Sequence, residues 1–366
     1  VFYVDLNKIK LMNIVLLIII GLNVLISFKG FNDVEFFNKF KFHVGAIKHG
    51  EQYRNISSAF LHADIQHLLF NMVGLYFFAP IIINLLGQYV FVIIFTLGYP
   101  IGYGAWLSFH DYSLVGGKET PTFAGITNYI YAVTQDSLFW VSLKNTLIYA
   151  LGTVALSFIV GFSIALTLNK PITGRGFWRT LFFFPWVIPS VVVSLLFMWM
   201  FNANYGIVNY ILLKLGLINE YMGWLINPNL AMLTLIIITA WKLTPFMMVM
   251  FLAGLQTIPK EQVEAAIVDG AKGVQVFRYV IIPNLREMIM IVTLMGMIWE
   301  FQDFTYIWVI TKGGPITATT TWPIYIYKTA FRFFDLGYAS SMGVIWMIII
   351  LIFSIFYIKY LGSEEY

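Results

Sequence analysis

The chain has 366 residues, of which 60% are hydrophobic and only 11% are charged, and its formal net charge is +4. Soluble domains carry about 25% charged residues, so this composition predicts an integral membrane protein. The charge gives no indication of a nucleic-acid partner, because basic residues in membrane proteins mainly set topology. The chain contains no cysteine, which excludes disulfides, thiolate metal sites and cysteine nucleophiles.

Eight apolar windows are long enough to cross about 30 Å of hydrocarbon as helices. They lie at residues 11–27, 67–87, 89–109, 140–168, 180–201, 230–255, 288–310 and 339–361. The windows predict an all-α polytopic membrane protein. We expect no metal site in it. The second and third windows meet at Gly87-Gln88 with almost no loop between them.

Basic residues near the window ends predict the orientation. Three basic regions fall on one side by parity, and they contain Lys8 and Lys10; Lys170, Arg175 and Arg179; and Lys260, Lys272, Arg278 and Arg286. We assign this side to the cytoplasm, which places both termini there. The loop at 28–61 carries five basic residues on the opposite side, which conflicts with the rule and indicates a different origin for this part of the chain.

A polar loop at about 256–287 separates two of the apolar windows. Its charged residues cannot lie in hydrocarbon, so it must sit on one side of the membrane. Its pattern comprises Glu264-Ala265-Ala266, Asp269-Gly270-Ala271, Phe277 and Ile282-Pro283. These positions resemble the EAA loop of ABC-importer permeases. The alternative is an ordinary helical linker between spans.

From about residue 88 to the end, the chain resembles the carbohydrate-type, MalF/UgpA-like permeases of ABC importers. The motifs that carry the resemblance include Phe184-Pro185-Trp186, Trp241-Lys242, Pro245-Phe246, the polar loop and Thr311-Lys312-Gly313-Gly314-Pro315. The resemblance implies a six-helix permease core, preceded here by two extra transmembrane helices. Glu287 departs from the pattern, since many relatives carry a proline soon after the loop.

The resemblance also implies a role for the polar loop, which in that family docks on a cytoplasmic ATPase. Glu264 would be the charged anchor, and Ala265 and Ala266 would form a close-packing face. Gly270 would form the bend between coupling helices, and Pro283 would end the second one. Asp269 belongs to the same set of coupling residues. The alternative for Glu264 is an ordinary solvated helix residue.

Such a subunit is a transporter permease and not an enzyme. The chain has no Gly-x4-Gly-Lys-Ser/Thr motif, so we expect it to bind no cofactor itself, with ATP and Mg on the partner. The implied partners are an ABC ATPase dimer, a second permease, an extracytoplasmic solute-binding protein and the lipid bilayer. A heterodimer of permeases is favoured, in a bacterial-type plasma membrane. Sugars such as maltose, glycerol phosphates and other polyols are all permitted as solutes.

Four residues in the seventh window are candidates for the translocation path: Trp299, Glu300, Gln302 and Asp303. Ionisable groups are costly in a membrane span and usually face a cavity or a partner helix. Sugar hydroxyls and an aromatic face would suit such a position. The alternative, that these residues bond neighbouring helices or the partner permease, is equally open. Lys242 has the same two explanations, and packing with snorkelling is favoured for it.

Residues 1–87 resemble the start of a rhomboid intramembrane protease. His67 and Asn71, four apart on one helix face, match residues that stabilise the oxyanion in that family. The chain has no Gly-x-Ser-Gly motif, and His110 is its last histidine, so we expect no proteolysis. A polar pair packed between helices is the favoured explanation of His67 and Asn71. A rhomboid-like protein or a non-catalytic membrane scaffold is the alternative function.

Overall fold

The computed structural model describes residues 20–41, 68, 72, 98–115 and 120–362. These residues divide into two compact units. The smaller unit lies within Val1–Gly125 together with Ala330–Ser341, and the larger one is formed by Ile126–Thr329 with Met342–Tyr366.

The described part of the smaller unit contains short elements. Residues 20–32 are helical. The further elements are α1 (Val34–Phe40), α2 (Tyr99–Leu107) and an antiparallel pair of two-residue strands, β1 (His110–Asp111) and β2 (Thr122–Phe123). Composition and periodicity did not predict this strand pair. Asp33 caps α1 by accepting a 2.8 Å hydrogen bond from the backbone N–H of Phe36.

A close backbone approach joins residues 110–112 to residues 336–337 in the smaller unit. The N–H groups of Leu336 and Gly337 both donate to the carbonyl of Tyr112, at 2.9 and 3.0 Å. A Cβ atom on Gly337 would lie 2.1 Å from the carbonyl oxygen of His110. Only glycine fits at this position, because any side chain would force the two backbones apart.

The larger unit consists of helices. In chain order they are α3 (Thr127–Thr134), α4 (Ser137–Asn169), α5 (Arg175–Val187), α6 (Ser190–Met200), α7 (Ile207–Lys214), α8 (Pro228–Thr257), α9 (Lys260–Val268), α10 (Gly273–Asn284), α11 (Arg286–Phe301) and α12 (Thr305–Ile310). Two further helices, α13 (Trp322–Phe331) and α14 (Leu336–Gly362), complete the described chain and also contribute residues to the smaller unit.

Three described helices are long and apolar enough to cross a membrane unbroken: α4, α8 and the Leu336–Lys359 part of α14. Two bent pairs raise this number to five if each pair is one span. These five overlap the windows predicted at 140–168, 180–201, 230–255, 288–310 and 339–361. In the second bent pair, only Arg286–Ile310 matches the window at 288–310, and α10 precedes it. Residues 11–19 of the first window, all but residues 68 and 72 of the second, and residues 89–97 of the third lie outside the described residues. The all-α polytopic prediction is confirmed by these helices.

The window at 180–201 is not one continuous helix, contrary to the simple prediction. It divides into α5 and α6, which meet at an angle of 95°. Pro185 lies in the last turn of α5, and Pro189 directly precedes α6. Proline has no N–H group and clashes with the preceding turn, so two prolines at this spacing end one helix before the next begins.

The core of the larger unit forms where α4 packs along α8. Gly161 of α4 allows the close approach, because a Cβ atom there would lie 2.8 Å from the Cβ of Met247 and 3.0 Å from the backbone nitrogen of Met248. Small residues at helix crossings are typical of membrane bundles, where tight packing replaces the hydrophobic effect between helices. A buried cluster contains Tyr149, Val193, Leu235, Ile236, Ile238, Tyr306, Ile307, Ile310 and Ile324.

Candidate functional site

The polar loop folds as a pair of helices, α9 and α10, which we call the helical hairpin (Lys260–Asn284). α9 ends at Val268, and Gly270 then adopts the left-handed conformation with φ of +87°. The N–H of Ala271 donates to the carbonyl of Ala266 at 2.9 Å, which closes the end of α9. The chain therefore reverses at Gly270, where glycine is the residue that adopts positive φ without strain.

The second arm of the hairpin carries its anchors. The ring of Phe277 lies 5.7 Å from that of Phe162 on α4, and Val276 is buried. The turn Phe277–Ile281 is π-helical, and α10 ends at Asn284, one residue after Pro283. Leu285, fully buried, occupies the 71° bend between α10 and α11. These contacts hold the hairpin against the helical core.

The first arm of the hairpin is exposed over most of its surface, and only Val263 and Ala266 are half-buried. None of the residues of α9 is buried. Glu264 and Ala265 are exposed, and Ala266 is half-buried. Val268 at the end of this arm is 85% exposed, and Val274 at the start of the second arm is 77% exposed. Asp269, between the two arms, is exposed too. Gln262 of this arm accepts a 2.9 Å hydrogen bond from Asn284 of the second arm. The remaining apolar and acidic surface is largely uncovered by the described chain, which is typical of a surface that contacts another protein.

A cleft of about 710 Å³ lies beside the hairpin. Its lining includes four charged residues, Arg175, Arg179, Lys260 and Glu264. The cleft brings together the turn between α4 and α5, the end of α8 and the start of α9. Three of the basic residues that predicted one side of the membrane, Arg175, Arg179 and Lys260, are thus close in space.

The four candidate path residues lie at the end of α11 and in the break that follows it. Asp303 accepts a 2.5 Å hydrogen bond from the hydroxyl of Tyr149 on α4, and that hydroxyl lies 2.8 Å from the hydroxyl of Thr239 on α8. Glu300 is buried, whereas Gln302 is exposed. Asp303 therefore forms a hydrogen bond to a neighbouring helix. This agrees with the alternative explanation of the four residues, in which they bond neighbouring helices or the partner permease.

Trp299 differs from the other three candidates, because it belongs to an aromatic cluster. Its side chain is 39% exposed. Its ring lies 4.7 Å from that of Phe246 on α8 and 6.0 Å from that of Trp186 on α5. Trp186 and Phe246 also stack on each other at 5.5 Å. We call Trp186, Phe246 and Trp299 the aromatic cluster; it offers flat apolar faces beside polar groups of the span.

Sequence reasoning did not predict Tyr149, Thr239, Trp186 or Phe246 as site residues. Trp186 and Phe246 stand in the motifs Phe184-Pro185-Trp186 and Pro245-Phe246, so a signal was present, but no spacing in the sequence connects them. His67 and Asn71 lie outside the described residues. Among the described residues, no group of three or more His, Asp or Glu side chains could hold a metal ion.

The described chain has long apolar helices, broken spans and an exposed helical hairpin between α8 and α11. These features define a membrane-embedded protein of the permease class. A family model described as binding-protein-dependent transport system inner membrane component matches residues 157–362, more than half of the chain. The chain belongs to this family. The matched range contains the helical hairpin, the aromatic cluster and Asp303.

Curated relatives support the same assignment. The probable ABC transporter permease protein y4oQ of Sinorhizobium fredii is 36% identical over 263 residues, which cover 72% of this chain and 84% of the relative. The sulfoquinovosyl glycerol transport system permease protein SmoG of Agrobacterium fabrum is 34% identical, over 73% of this chain and 85% of the relative.

Solved structures share the fold. A bacterial ABC transporter involved in the import of the acidic polysaccharide alginate matches with a TM-score of 0.65 and 21% identity, over 82% of this chain and 99% of that one. The bacterial alginate transporter in complex with a periplasmic protein bound to alginate pentasaccharide matches with a TM-score of 0.63 and 21% identity, over 78% and 95% of the two chains.

A second family model, described as rhomboid domain, matches residues 49–175. This range includes His67 and Asn71. It extends beyond residue 87, and at residues 157–175 it overlaps the range matched by the first family.

Proposed function

We propose that this chain is one of two permease subunits of an ABC importer for sugars or related polyols, driven by a separate ATPase dimer through the helical hairpin. The single observation that supports coupling best is the exposure of α9, a charged and apolar helix with no buried residue. A helix of nine residues is too short to be stable in water by itself, so its contacts with another protein would contribute to its order.

The ATPase would contact the first arm of the hairpin. In this proposal Glu264 supplies a charged anchor, Ala265 and Ala266 permit close approach, and Val268 buries its exposed apolar surface. Phe277 on the second arm and Leu285 in the bend after it would then transmit movement of the hairpin to α4 and α11. ATP and Mg would be bound by the ATPase and not by this chain.

The coupling proposal is tested with a charge reversal, Glu264→Lys, in the complete transporter reconstituted in liposomes. We expect the ATPase to dissociate from the membrane subunits during purification, and ATP-driven uptake to fall by at least tenfold. Glu220→Lys is the matched control, because Glu220 is also exposed but lies in the segment between α7 and α8. Retained uptake with Glu264→Lys would contradict the coupling role.

The sugar proposal rests on the aromatic cluster and on relatives. Flat aromatic faces next to polar groups suit the apolar faces and hydroxyls of a sugar ring. SmoG is named for sulfoquinovosyl glycerol transport, and the structural relatives are named for alginate import. A solute-binding protein outside the membrane would deliver the sugar, as the periplasmic protein in the alginate transporter complex suggests.

The orientation proposed for the permease has the hairpin and both termini in the cytoplasm of a bacterial-type plasma membrane. Arg175, Arg179 and Lys260 around the cleft support it, since basic residues are retained on the cytoplasmic side. A second permease, different from this chain, would complete the path. Protease accessibility of tags on the hairpin and on the α7–α8 segment in sealed vesicles tests this orientation.

A rhomboid-like or scaffold role for the N-terminal segment is the second candidate function, favoured by the match at residues 49–175. The missing Gly-x-Ser-Gly motif argues for binding of other membrane segments over cleavage. Purified chain incubated with a rhomboid substrate should leave it intact. Cleavage that is lost in His67→Ala would contradict the assignment as a non-enzyme.

A further inference from the structure

A lysine near the middle of α8 binds the backbone at the break between α5 and α6. The Nζ atom of Lys242 donates hydrogen bonds to three backbone carbonyls, those of Pro185, Trp186 and Ile188, at 3.0, 2.7 and 2.5 Å. All three carbonyls belong to the last turn of α5 or to the residue directly after it. Lys242 itself is half-buried.

The break would be costly without this contact. The last carbonyls of any helix lack partners within the helix, and α6 leaves at 95°, so the ladder of hydrogen bonds does not continue. Within the hydrocarbon region irregular backbone is tolerated only where protein groups or water satisfy it. An ammonium group has three N–H donors, and its positive charge also suits the negative end of the α5 dipole.

The contact also places a side chain of the aromatic cluster. The Nζ atom lies 5.8 Å from the centre of the Trp186 ring while it binds the Trp186 carbonyl. Trp186 in turn stacks on Phe246, which follows Lys242 by one helical turn on α8. One lysine therefore fixes both the backbone and the ring of Trp186.

We infer that Lys242 is a positioning residue that locks the bend between α5 and α6 and thereby sets the place of Trp186 in the aromatic cluster. Snorkelling to the interface does not describe this side chain, because its ammonium group ends on carbonyls at the break. The bend itself is independent of the solute, and only the effect on uptake rests on the proposed function.

The bend can be measured directly with spin labels on cysteines introduced at Phe177 of α5 and Trp199 of α6, whose side chains are 65% and 55% exposed. The chain has no native cysteine, so the two labels are unique within it. At about 1.5 Å of rise per residue, complete straightening would lengthen the label separation by roughly 10 Å. The measurement uses the complete transporter in lipid nanodiscs, with cysteines of the partner subunits removed.

We expect Lys242→Met to give a longer and broader distance distribution than the unchanged chain, and Lys242→Arg to restore the narrow one. Lys144→Met is the matched control, because Lys144 is an exposed lysine on α4. Uptake should fall by about tenfold in Lys242→Met and recover in Lys242→Arg, in line with the loss of charge-assisted hydrogen bonds.

An unchanged distance distribution in Lys242→Met would overturn the inference, whatever happens to uptake. If Lys242→Met does not assemble, Lys242→Gln is compared with Lys242→Arg. The shorter, uncharged amide of glutamine should broaden the distance distribution. A narrow distribution in Lys242→Gln would overturn the inference. A changed distribution with normal sugar uptake would support the lock on the bend and count against a role of Trp186 in sugar transport.

Discussion

The hydroxyl of Tyr149 on α4 donates a 2.5 Å hydrogen bond to Asp303, in the break between α11 and α12. The same hydroxyl lies 2.8 Å from that of Thr239 on α8, and Tyr149 is fully buried. Three segments that are distant in the chain thus share one polar contact inside the bundle. A carboxyl group in such a place would be costly without its partner.

Removal of the Tyr149 hydroxyl should weaken the bundle. Tyr149→Phe keeps the ring but leaves Asp303 without this donor, so we expect a loss of about 1–3 kcal/mol and a lower midpoint of thermal unfolding in detergent. A double-mutant cycle with Asp303→Asn isolates the pair. Tyr205→Phe, at a tyrosine that is 62% exposed, is the control. Additive effects of Tyr149→Phe and Asp303→Asn would contradict a direct coupling.

The crossing of α4 and α8 depends on Gly161. An alanine there would bring its Cβ to 2.8 Å from the Cβ of Met247 and 3.0 Å from backbone atoms, so the helices must separate. We expect Gly161→Ala to destabilise the chain by about 1–3 kcal/mol, measured as a fall in the thermal unfolding midpoint.

Gly343→Ala is the matched control for this crossing. Gly343 also lies inside a long helix, but no heavy atom is within 4 Å of its added Cβ. Here alanine should stabilise the helix by about 0.5–1 kcal/mol, because it has less conformational freedom to lose than glycine. Equal midpoints for the two variants would mean that the α4–α8 spacing tolerates a methyl group.

The spans were largely predictable from the sequence, and the contacts between them were not. Hydropathy over about 20 residues is a local property, so the windows at 140–168 and 230–255 closely match α4 and α8. A window average does not detect the break at residues 188–189, although Pro185 and Pro189 were visible signals of it. Tyr149 and Asp303 are 154 residues apart, and no local pattern connects them.

The hairpin illustrates the same division. Gly270 and Pro283 predicted its turn and its end, because both residues act through their own backbone. Its anchor, the contact between Phe277 and Phe162, depends on how α10 lies against α4, more than 100 residues earlier in the chain. The roles of Glu264, Ala265 and Ala266 toward an ATPase remain predictions, since they depend on a second protein.

The turn of the hairpin should require glycine at position 270, whereas position 273 should tolerate alanine. Gly270 and Gly273 both have open space around an added Cβ, but only Gly270 has a positive φ, +87°. Gly270→Ala therefore should strain the turn by roughly 1–2 kcal/mol and tilt α9. We expect reduced copurification of the ATPase and reduced uptake, with Gly273→Ala close to the unchanged chain. Similar losses of copurification and uptake in Gly270→Ala and Gly273→Ala would exclude the left-handed backbone conformation of Gly270 as their cause.

The aromatic cluster should affect the sugar step without affecting assembly. Trp299→Ala removes the ring that contacts Phe246 and Trp186, and the loss of one aromatic contact corresponds to about a three- to tenfold change in rate. The uptake rate at saturating, sugar-loaded binding protein measures it, with copurification of the ATPase as the test of assembly. Trp199→Ala, at a tryptophan that is 55% exposed on α6, is the matched control. If Trp299→Ala leaves uptake unchanged while the complex assembles, the sugar does not contact this cluster, and the path must follow another face of α8 and α11.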